Sequence, residues 1–545
     1  EMNRGVLVDP IQGLQGKVAG VMISKQGGDP NKGFDIKIRG ASSLETSTSP
    51  LYVIDGVPGA DPTTIAPEDI ETFNVLKDAS AAAIYGARGA FGVVIITTKR
   101  GKERKGAQID FNSYVSFENV AKRLDLMSAG DFRNFIDKNP DFQTFFIDGG
   151  ADTDWQNEVY RNGSSQNYNL AFSGGDGSTN YRASIAHVNY TGAIKGSDKT
   201  RTIGRINLDQ KALNDKLTIM SGLAATIEHN NYINYGGWGA DQVLFQTFQR
   251  NPTDPVKTDD SPYYGGYFEL ERVFQYYNPL ALIEQIHNER DAKRYFGYLK
   301  GDLEIFKGFE VGINLAYTRN DEEGSYFMPT TLYLNSYDGY GRKAYNNFES
   351  KILETTLRYN NVFGKHSLQS VAGYSFQEDF FTGFTAQGRE PFINVVKMHD
   401  LSLLQSVKPG DVSSYKNSNR LISFFARGIY NWDSRYFFTA TLRRDGSSKF
   451  GKNNEWGWFP SASAMWNITG EEFMQNIGFL NNLRLRVGYG ITGNQEIGSY
   501  NDIEYYKAAG NSFNFETGES SILFQYAHNA NPDLKWEENA ELNIG

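Results

Sequence analysis

The sequence predicts a transmembrane antiparallel β-barrel preceded by a small α+β domain. Three observations carry the prediction. From Gln108 onward, apolar and polar residues alternate in roughly fourteen runs, most of them longer than the strands of water-soluble sheets. The connections between those runs are alternately long and short. The first hundred residues have another texture, with short β-branched runs set between Gly, Pro and Ser turns.

In that first stretch, Leu14 to Gly101, the runs Val21–Ile23, Ile36–Ile38, Tyr52–Ile54 and Val93–Thr97 read as strands. The Ala-rich segment Asp78–Tyr85 reads as a helix. Pro67-Glu68-Asp69, with Pro and acids in a first turn, opens an earlier short one. Gly86, Gly89 and Gly92 follow three apart, a spacing suited to close approach of the backbone.

Beyond it the alternation is plain. Tyr168, Leu170 and Phe172 interleave with Asn167, Asn169, Ala171 and Ser173. Phe309, Val311, Ile313, Leu315 and Tyr317 interleave with Glu310, Gly312, Asn314 and Ala316. Phe438, Ala440 and Leu442 interleave with Phe437, Thr439, Thr441 and Arg443. Around Leu421–Tyr430 both faces carry bulky apolar groups. Long connections are expected at 121–162, 229–289, 320–343 and 382–416, and short ones at 174–178, 211–215, 307–308, 364–365 and 431–434. Those at 192–198 and 446–453 are only moderately short. The one between Thr469 and Asn482 breaks the phase and has room for a helix. Tight turns in one phase are what a membrane barrel makes at its inner end, where a soluble sandwich has no reason to keep them. Aromatic residues shoulder the short turns: Phe306 and Phe309, Tyr359 and Phe363, then Tyr430, Trp432, Tyr436 and Phe437. Rings at one level match an interfacial girdle.

Composition excludes several classes. The chain has 545 residues, no Cys and a formal net charge of −10. A disulfide scaffold and thiolate metal sites are excluded, and a nucleic-acid partner is disfavoured. No apolar run is long enough for a spanning helix, and mean hydropathy is −0.50. A β-barrel gives the same low value, because each strand shows lipid one face only. The six histidines lie far apart without a helical metal-site spacing, and Gly86–Gly92 lacks the Lys-Ser or Lys-Thr ending of a phosphate loop. Acid pairs such as Glu68/Asp69 and Asp259/Asp260 converge on nothing. No catalytic residue, metal or cofactor is expected.

Binding is better supported. The connection at 229–289 is rich in rings, among them Tyr235, Trp238, Tyr263 and Tyr264. The next holds Tyr333, Tyr337 and Asp338. A ring with a polar tip can stack on a sugar face or cover a peptide while making one hydrogen bond. Such rings can equally pack the loops against each other. Ser42 and Ser43, in the turn Ser42–Ser49, are expected to face the lumen and touch cargo, although an ordinary polar loop has the same composition.

The segments Leu14–Val21, Ile38–Ser43, Pro50–Pro58 and Val75–Gly101 together resemble the plug domain of SusC-like (SusC/RagA) TonB-dependent outer-membrane transporters. Arg443–Gly451 (RRDGSSKFG), Trp458-Phe459-Pro460-Ser461, Leu485–Gln495 and Asn531–Glu538 (NPDLKWEE) resemble barrel segments of the same family. The resemblance implies a plug domain over 1–104 inside the lumen of a barrel over 105–545. Plugged barrels have about 22 strands, and an open edge in hydrocarbon is costly, so roughly eight strands are expected beyond Gly545. The segment that TonB grips would precede residue 1. The resemblance also implies a bacterial outer-membrane location of the Gram-negative, Bacteroidetes-like kind. Its implied partners are a SusD-like surface lipoprotein as cap, TonB with its ExbB/ExbD energising complex, outer-membrane lipid, and a possible dimer of transporter–lipoprotein pairs. The expected cargo is an oligosaccharide, on family frequency, with an oligopeptide second. A non-transporting scaffold and a soluble adhesin are the alternatives from other classes.

Overall fold

The structure is a computed structural model. It describes residues 9–25, 29–38, 49–77, 83–234, 242–258, 264–270, 276–332, 338–408, 410–474 and 479–545. The N-terminal domain contains an antiparallel pair, β1 (Val21–Ser24) and β2 (Asp35–Ile38), and a second sheet in the order β4-β3-β6-β5. That sheet is built from β3 (Leu51–Ile54), β4 (Val57–Pro58), β5 (Ile70–Leu76) and β6 (Val93–Thr98). The β-branched runs form strands where expected; β5, whose IETFNVL mixes polar and apolar residues on both faces, was not marked by that signal. Pro67–Asp69 makes one 3-10 turn and passes directly into β5. Of the expected helix at Asp78–Tyr85, residues 78–82 lie outside the described residues. Its end belongs to a 3-10 stretch, Ala83–Gly89, broken at Gly86 (φ 59°, ψ −139°), a left-handed conformation that ends helical winding.

The wall follows as β7 (Arg104–Glu118), β8 (Gly163–Gly175), β9 (Thr179–Thr191), β10 (Asp198–Ala212), β11 (Leu217–Asn231), β12 (His287–Phe306), β13 (Phe309–Met328) and β14 (Tyr340–Phe363). It continues as β15 (His366–Pro391), β16 (Leu404–Ser406), β17 (Val412–Trp432), β18 (Tyr436–Ser447), β19 (Trp456–Asn467), β20 (Arg484–Asn494), β21 (Tyr505–Asn514), β22 (Glu519–His528) and β23 (Glu537–Ile544). Fourteen of these pair antiparallel, each with its neighbour in sequence apart from the β15–β17 and β20–β23 steps. Short β16 adds to the end of β15, and β21–β22 is a separate hairpin. The sheet ends at β7 and β23 and is not closed on itself.

The two faces of the wall differ as the alternation requires. On β8, Asn167, Asn169 and Ala171 are buried while Tyr168, Leu170 and Phe172 are exposed. On β13, Asn314, Ala316 and Thr318 are buried while Val311, Ile313, Leu315 and Tyr317 are exposed. On β18, Thr441 and Arg443 are buried and Phe438 and Leu442 exposed. The polar face is buried because the N-terminal domain packs against it. Its core, which includes Ile11, Leu14, Ile36, Ile54, Ile65 and Ile96, is continuous with Ala224, Phe296, Tyr298, Ala316 and Ile352 of the wall. The doubly apolar stretch of β17 has the same cause. Phe424 is exposed, whereas Leu421 turns inward into a cluster with Ala87 of the N-terminal domain.

The tight turns all fall at one end. Lys307–Gly308 joins β12 to β13, with Gly308 at φ 86° and the Asn360 carbonyl standing where a Cβ would have to fit. The rings beside these turns stack: Phe306 on Phe309 at 4.9 Å, Trp432 on Tyr436 at 5.4 Å and Tyr436 on Trp466 at 6.5 Å. The connection after β19 starts with two 3-10 turns, Ile468–Gly470 and Glu472–Met474, in place of a regular helix over its described residues. At the opposite end two expected loops are shorter than the sequence reading. β13 runs on to Met328 and β15 to Pro391, so the connections are 329–339 and 392–411. β14 and β15 have 24 and 26 residues, more than twice the roughly 9–11 that cross a bilayer. Where a strand leaves lipid its outward face no longer has to be apolar, so the period-2 signal fades while the ladder continues.

Ile313 tests the face assignment. It stands 46% exposed in the middle of β13 between Val311 and Leu315. Ile313→Arg is expected to cost about 2–4 kcal/mol, as Arg does at the bilayer midplane, and to lower the yield of assembled, heat-modifiable protein, with Ile313→Val as control. Equal yields for both variants contradict the assignment.

Candidate functional site

The parallel pairing of β3 with β6, Ile54 beside Ile96, brings the C-terminal ends of both strands to one edge. Asp55 and Thr98 meet there. The Asp55 carboxylate accepts from Thr98 N (2.9 Å), Thr98 Oγ1 (2.7 Å), Arg205 of β10 (2.5 Å) and Tyr298 of β12 (3.1 Å). Arg205 and Asp55 side chains are 2% and 3% exposed. Asn207 of β10 donates to Thr98 Oγ1 and to the Lys99 carbonyl, and Arg100 pairs with Asp209. A second anchor lies at Asp69, which takes Arg182 (2.9 Å) and Ser184 (2.5 Å) from β9. Next to it Asn167 of β8 donates to Glu68. Sequence reasoning placed the strands but gave these acids no role, because no short-range pattern ties Asp55 to an arginine 150 positions away.

A third anchor explains four stretches that carry the resemblance. Arg443 donates to the Ile84 carbonyl (2.5 Å) and to its neighbour Asp445 (2.7 Å), while Asp445 accepts from Ala87 N (3.1 Å). A Cβ on Gly86 would overlap Arg443 Nε, so the chain approaches Arg443 as only glycine can. Just beyond, Trp536 packs on Phe450 (4.5 Å) and Phe459 (5.3 Å). Segments 443–451, 458–461 and 531–538 thus meet at the tip of the plug segment 83–89.

On the side of the long connections, taken as outward, a chamber of ≈ 590 Å³ lies between the N-terminal domain and the wall. The domain contributes Asp9, Gln12, Lys25, Asn31, Lys32 and Phe34; the wall contributes Glu118, Tyr190, Lys199, Arg201, Glu228, Arg290 and Arg294. Adjacent strands set the wall cluster. Arg201 (β10) faces Glu228 (β11) across the ladder and donates to it at 2.6 Å, and Lys199, Arg294 and Arg290 approach the same carboxylate at 3.4, 3.5 and 3.8 Å.

Above the wall the outer connections fold into a lobe. It holds α1 (Ala129–Lys138), α2 (Trp155–Val159), α3 (Val243–Gln249) and α4 (Pro279–Gln285). At its centre Arg250 is fully buried, paired with Asp254 (2.9 Å) and Glu269 (3.1 Å) and 4.3 Å from the Tyr276 ring centre. Trp155 Nε1 donates to the Asn251 carbonyl, tying the connection before β8 to the one before β12. One guanidinium serves two buried acids. Burial pushes the Asp254 carboxyl up, and pushes that of Glu269 up to about 7 against the pull of Arg250.

Of the binding residues expected from sequence, Ser42, Ser43, Tyr235, Trp238, Tyr263, Tyr333 and Tyr337 lie outside the described residues. Tyr264 is half-buried and Asp338 exposed. The Tyr264 carbonyl accepts from Gln285 Nε2 (3.3 Å), and Thr331 Oγ1 donates to Gln285 Oε1 (2.7 Å), so Gln285 bridges the two ring-rich connections. Their described rings mostly pack the lobe. Tyr267 joins Tyr277, Leu280 and Met328 in a buried cluster, and Phe327 is 1% exposed. The charged chamber was missed, since its members come one or two from each strand. Among the described residues no three His, Asp or Glu side chains gather to hold a metal ion.

Residues 2–93 match the family model "TonB-dependent Receptor Plug Domain", and residues 229–545 match "TonB dependent receptor-like, beta-barrel". The chain is 30% identical over 577 residues to "TonB-dependent receptor SusC" of Bacteroides thetaiotaomicron, covering 100% of this chain and 56% of the relative. It is 32% identical over 542 residues to a TonB-dependent receptor of Formosa agariphila, covering 98% and 52%. The chain thus spans about half the length of these curated relatives. A solved structure of "the RagAB peptide transporter" superposes with a TM-score of 0.85 at 24% identity, over 98% of this chain and 63% of that one, which establishes likeness of fold.

Asp55→Ala leaves Arg205 buried without its partner and is expected to destabilise the N-terminal domain by about 3–5 kcal/mol, read as lost hydrogen-exchange protection in β3 and β6. Adding Arg205→Leu is expected to recover part of the loss. A change under about 1 kcal/mol would show that the pair carries little of the docking energy. The lobe is expected to respond to pH. Because the folded Glu269 holds its proton up to about 7, its contribution is complete below its ordinary carboxyl range and is lost as pH rises through 7. Intrinsic-rate-corrected exchange over 242–258 and 276–286 should therefore speed up between about pH 5 and 7, at most about tenfold per pH unit and steepest near pH 6, and level off above 7. Glu269→Gln should flatten that slope, and an unchanged slope in the variant assigns it to another group.

Proposed function

The chain belongs to the TonB-dependent receptors, and from that premise we propose that it supplies the plug and wall of an outer-membrane importer, the two domains dividing near residue 104. The observation that carries the reading is the polar inner face of the wall, buried under a domain bound to it by side chains more than by a shared ladder. β8, β9, β10, β12, β15 and β18 each hold the domain through a side-chain hydrogen bond: Asn167, Arg182, Arg205, Tyr298, Gln377 and Arg443. Such contacts can be exchanged for water one at a time as the plug shifts, whereas the outer ladder stays whole.

The proposed cycle begins with a SusD-like lipoprotein presenting cargo to the outward chamber. TonB, energised through ExbB/ExbD by the inner-membrane proton gradient, then pulls the plug so that a path opens along the polar face. A pair of transporter–lipoprotein units is the proposed assembly. Oligosaccharide is the proposed cargo, on the frequency of glycan import in the SusC-like family. Oligopeptide is the second reading, supported by the likeness of fold to RagAB, a peptide transporter.

Locking the plug tests transport apart from capture. The protein has no native Cys, and Asp69 and Ser184 side chains meet at 2.5 Å, so Asp69→Cys with Ser184→Cys gives a site for a single bridge. Oxidised, the variant should bind cargo and fail to import it; reduced, it should import again. Import by the fully oxidised form contradicts plug movement.

A further inference from the structure

The outward chamber holds two cations, Lys25 and Lys32, that no acid of the described residues meets at ion-pair distance. Among the described residues six cations line it: Lys25 and Lys32 from the N-terminal domain, and Lys199, Arg201, Arg290 and Arg294 from the wall. The three acids that line it among the described residues are all engaged. Glu228 is shared by the four wall cations. Glu118 accepts from Tyr190 Oη at 2.5 Å. Asp9 accepts from Ile11 N, and burial pushes its carboxyl up, toward the neutral form. At the margin Asp61 approaches Arg294, Glu322 approaches Arg290 and Arg294, and Asp29 accepts from Ser197 and from Asn31 N.

The cations are less well served. Lys199, nine-tenths buried, has among the described residues Glu228 alone within ion-pair range, at 3.4 Å. Arg294, with its side chain 7% exposed, has Asp61, Glu228 and Glu322 within 3.5 Å, but among the described residues its Nε and Nη1 make no hydrogen bond. Lys25 and Lys32 have no carboxylate within 4 Å among the described residues. The Lys25 ammonium lies instead between rings, 5.6 Å from the centre of Phe34 and 5.4 Å from that of Tyr190. Half-buried Lys25 and exposed Lys32 thus lack an acid partner, and Lys199 shares its one acid with three other cations; a charge drawn away from water and left unmatched is costly unless something else supplies its counterpart.

We propose that this chamber binds the anionic groups of an acidic oligosaccharide, one bearing carboxylates or sulfates, with Lys25 and Lys32 meeting it from the plug and Lys199, Arg290 and Arg294 from the wall. The inference rests on the import reading and narrows its cargo. A zwitterionic peptide needs an unclaimed carboxylate for its amine, and each acid of the chamber is already engaged. A neutral glycan gains nothing from unanswered cations. Half-buried Phe34 lines the chamber beside Lys25 as a ring against which a sugar can pack, and Asn31, Thr63 and Ser116 supply amide and hydroxyl groups for its hydroxyls. Because two cations stand on the plug and the others on the wall, the same ligand bridges the parts that move against each other during transport.

The test uses the full-length transporter purified in detergent and calorimetry with a fixed panel. The anionic members are oligogalacturonate, oligomannuronate, sulfated galactan and chondroitin sulfate oligosaccharides, each beside its methyl-esterified or desulfated form. Malto-oligosaccharide and an acidic peptide complete the set. At least one anionic glycan should bind ten or more times tighter than its neutralised form, and weaken as salt rises. Lys25→Ala with Lys32→Ala should lower that affinity about tenfold and reduce its salt dependence, with Lys25→Arg largely retaining it. The proposal is overturned if no anionic glycan outbinds its neutral form, if the peptide alone binds, or if the lysine variants bind like the parent. Binding requires no TonB. Anion-selective binding without uptake in cells would therefore count against the import reading alone, and uptake of a neutral glycan without anion selectivity against this inference alone.

Discussion

A wall that crosses hydrocarbon has to pair its backbone groups within the sheet, because lipid offers no partner and each unpaired group costs several kcal/mol. That requirement explains the antiparallel ladder that runs from β7 to β20, with β13, β14 and β15 joined residue by residue over 20 positions or more. Once the backbone is committed to the ladder, side chains alone decide what each face meets. The outward rows of Leu, Ile, Val and Phe dissolve in lipid. The inward rows of Asn, Arg, Ser and Thr need water or a polar partner, and the N-terminal domain supplies the partner through Asp55, Asp69 and Thr98.

The same division explains how the N-terminal domain is held firmly by ties that water can replace. Its core is small and partly borrowed from the wall, through Phe296, Tyr298 and Ile352. Its other ties are discrete polar contacts, each strong while dry and exchangeable once water enters. Gly86 adds a point of very close approach, where the plug tip rests on Arg443 and Asp445 beside the packed Trp536. The outer lobe is built differently, around a buried cation and rings, so it can respond to pH or to a partner without disturbing the ladder.

What the sequence revealed follows from the range of each interaction. Period-2 alternation is local, so the strands and the lipid face of β8, β13 and β18 were legible, as was the common end of the tight turns. The signal failed where strands rise beyond lipid, at 320–328 and 382–391, because hydration no longer imposes a pattern. It failed at Ala83–Gly89, where Ala content favours helix but the approach of Arg443 requires the backbone to turn at Gly86. The chamber was illegible because Lys199, Glu228 and Arg294 are brought together only by register between strands, and Lys25 only by the packing of the N-terminal domain against them. In the outer connections Tyr267 and Phe327 pack the lobe, and ring content alone does not distinguish such packing from contact with a ligand.

The central claim is that lipid solvates one face of the wall while the N-terminal domain covers the other. Spin labels placed singly at Leu170, Ile206, Leu223 and Leu315 on one face, and at Asn167, Asn207 and Asn314 on the other, measure it directly in bilayers through collision with oxygen and with a water-soluble nickel complex. The account predicts high oxygen and low nickel accessibility at the first set, and low accessibility to both at the second. Free collision of the nickel complex with the first set would contradict it.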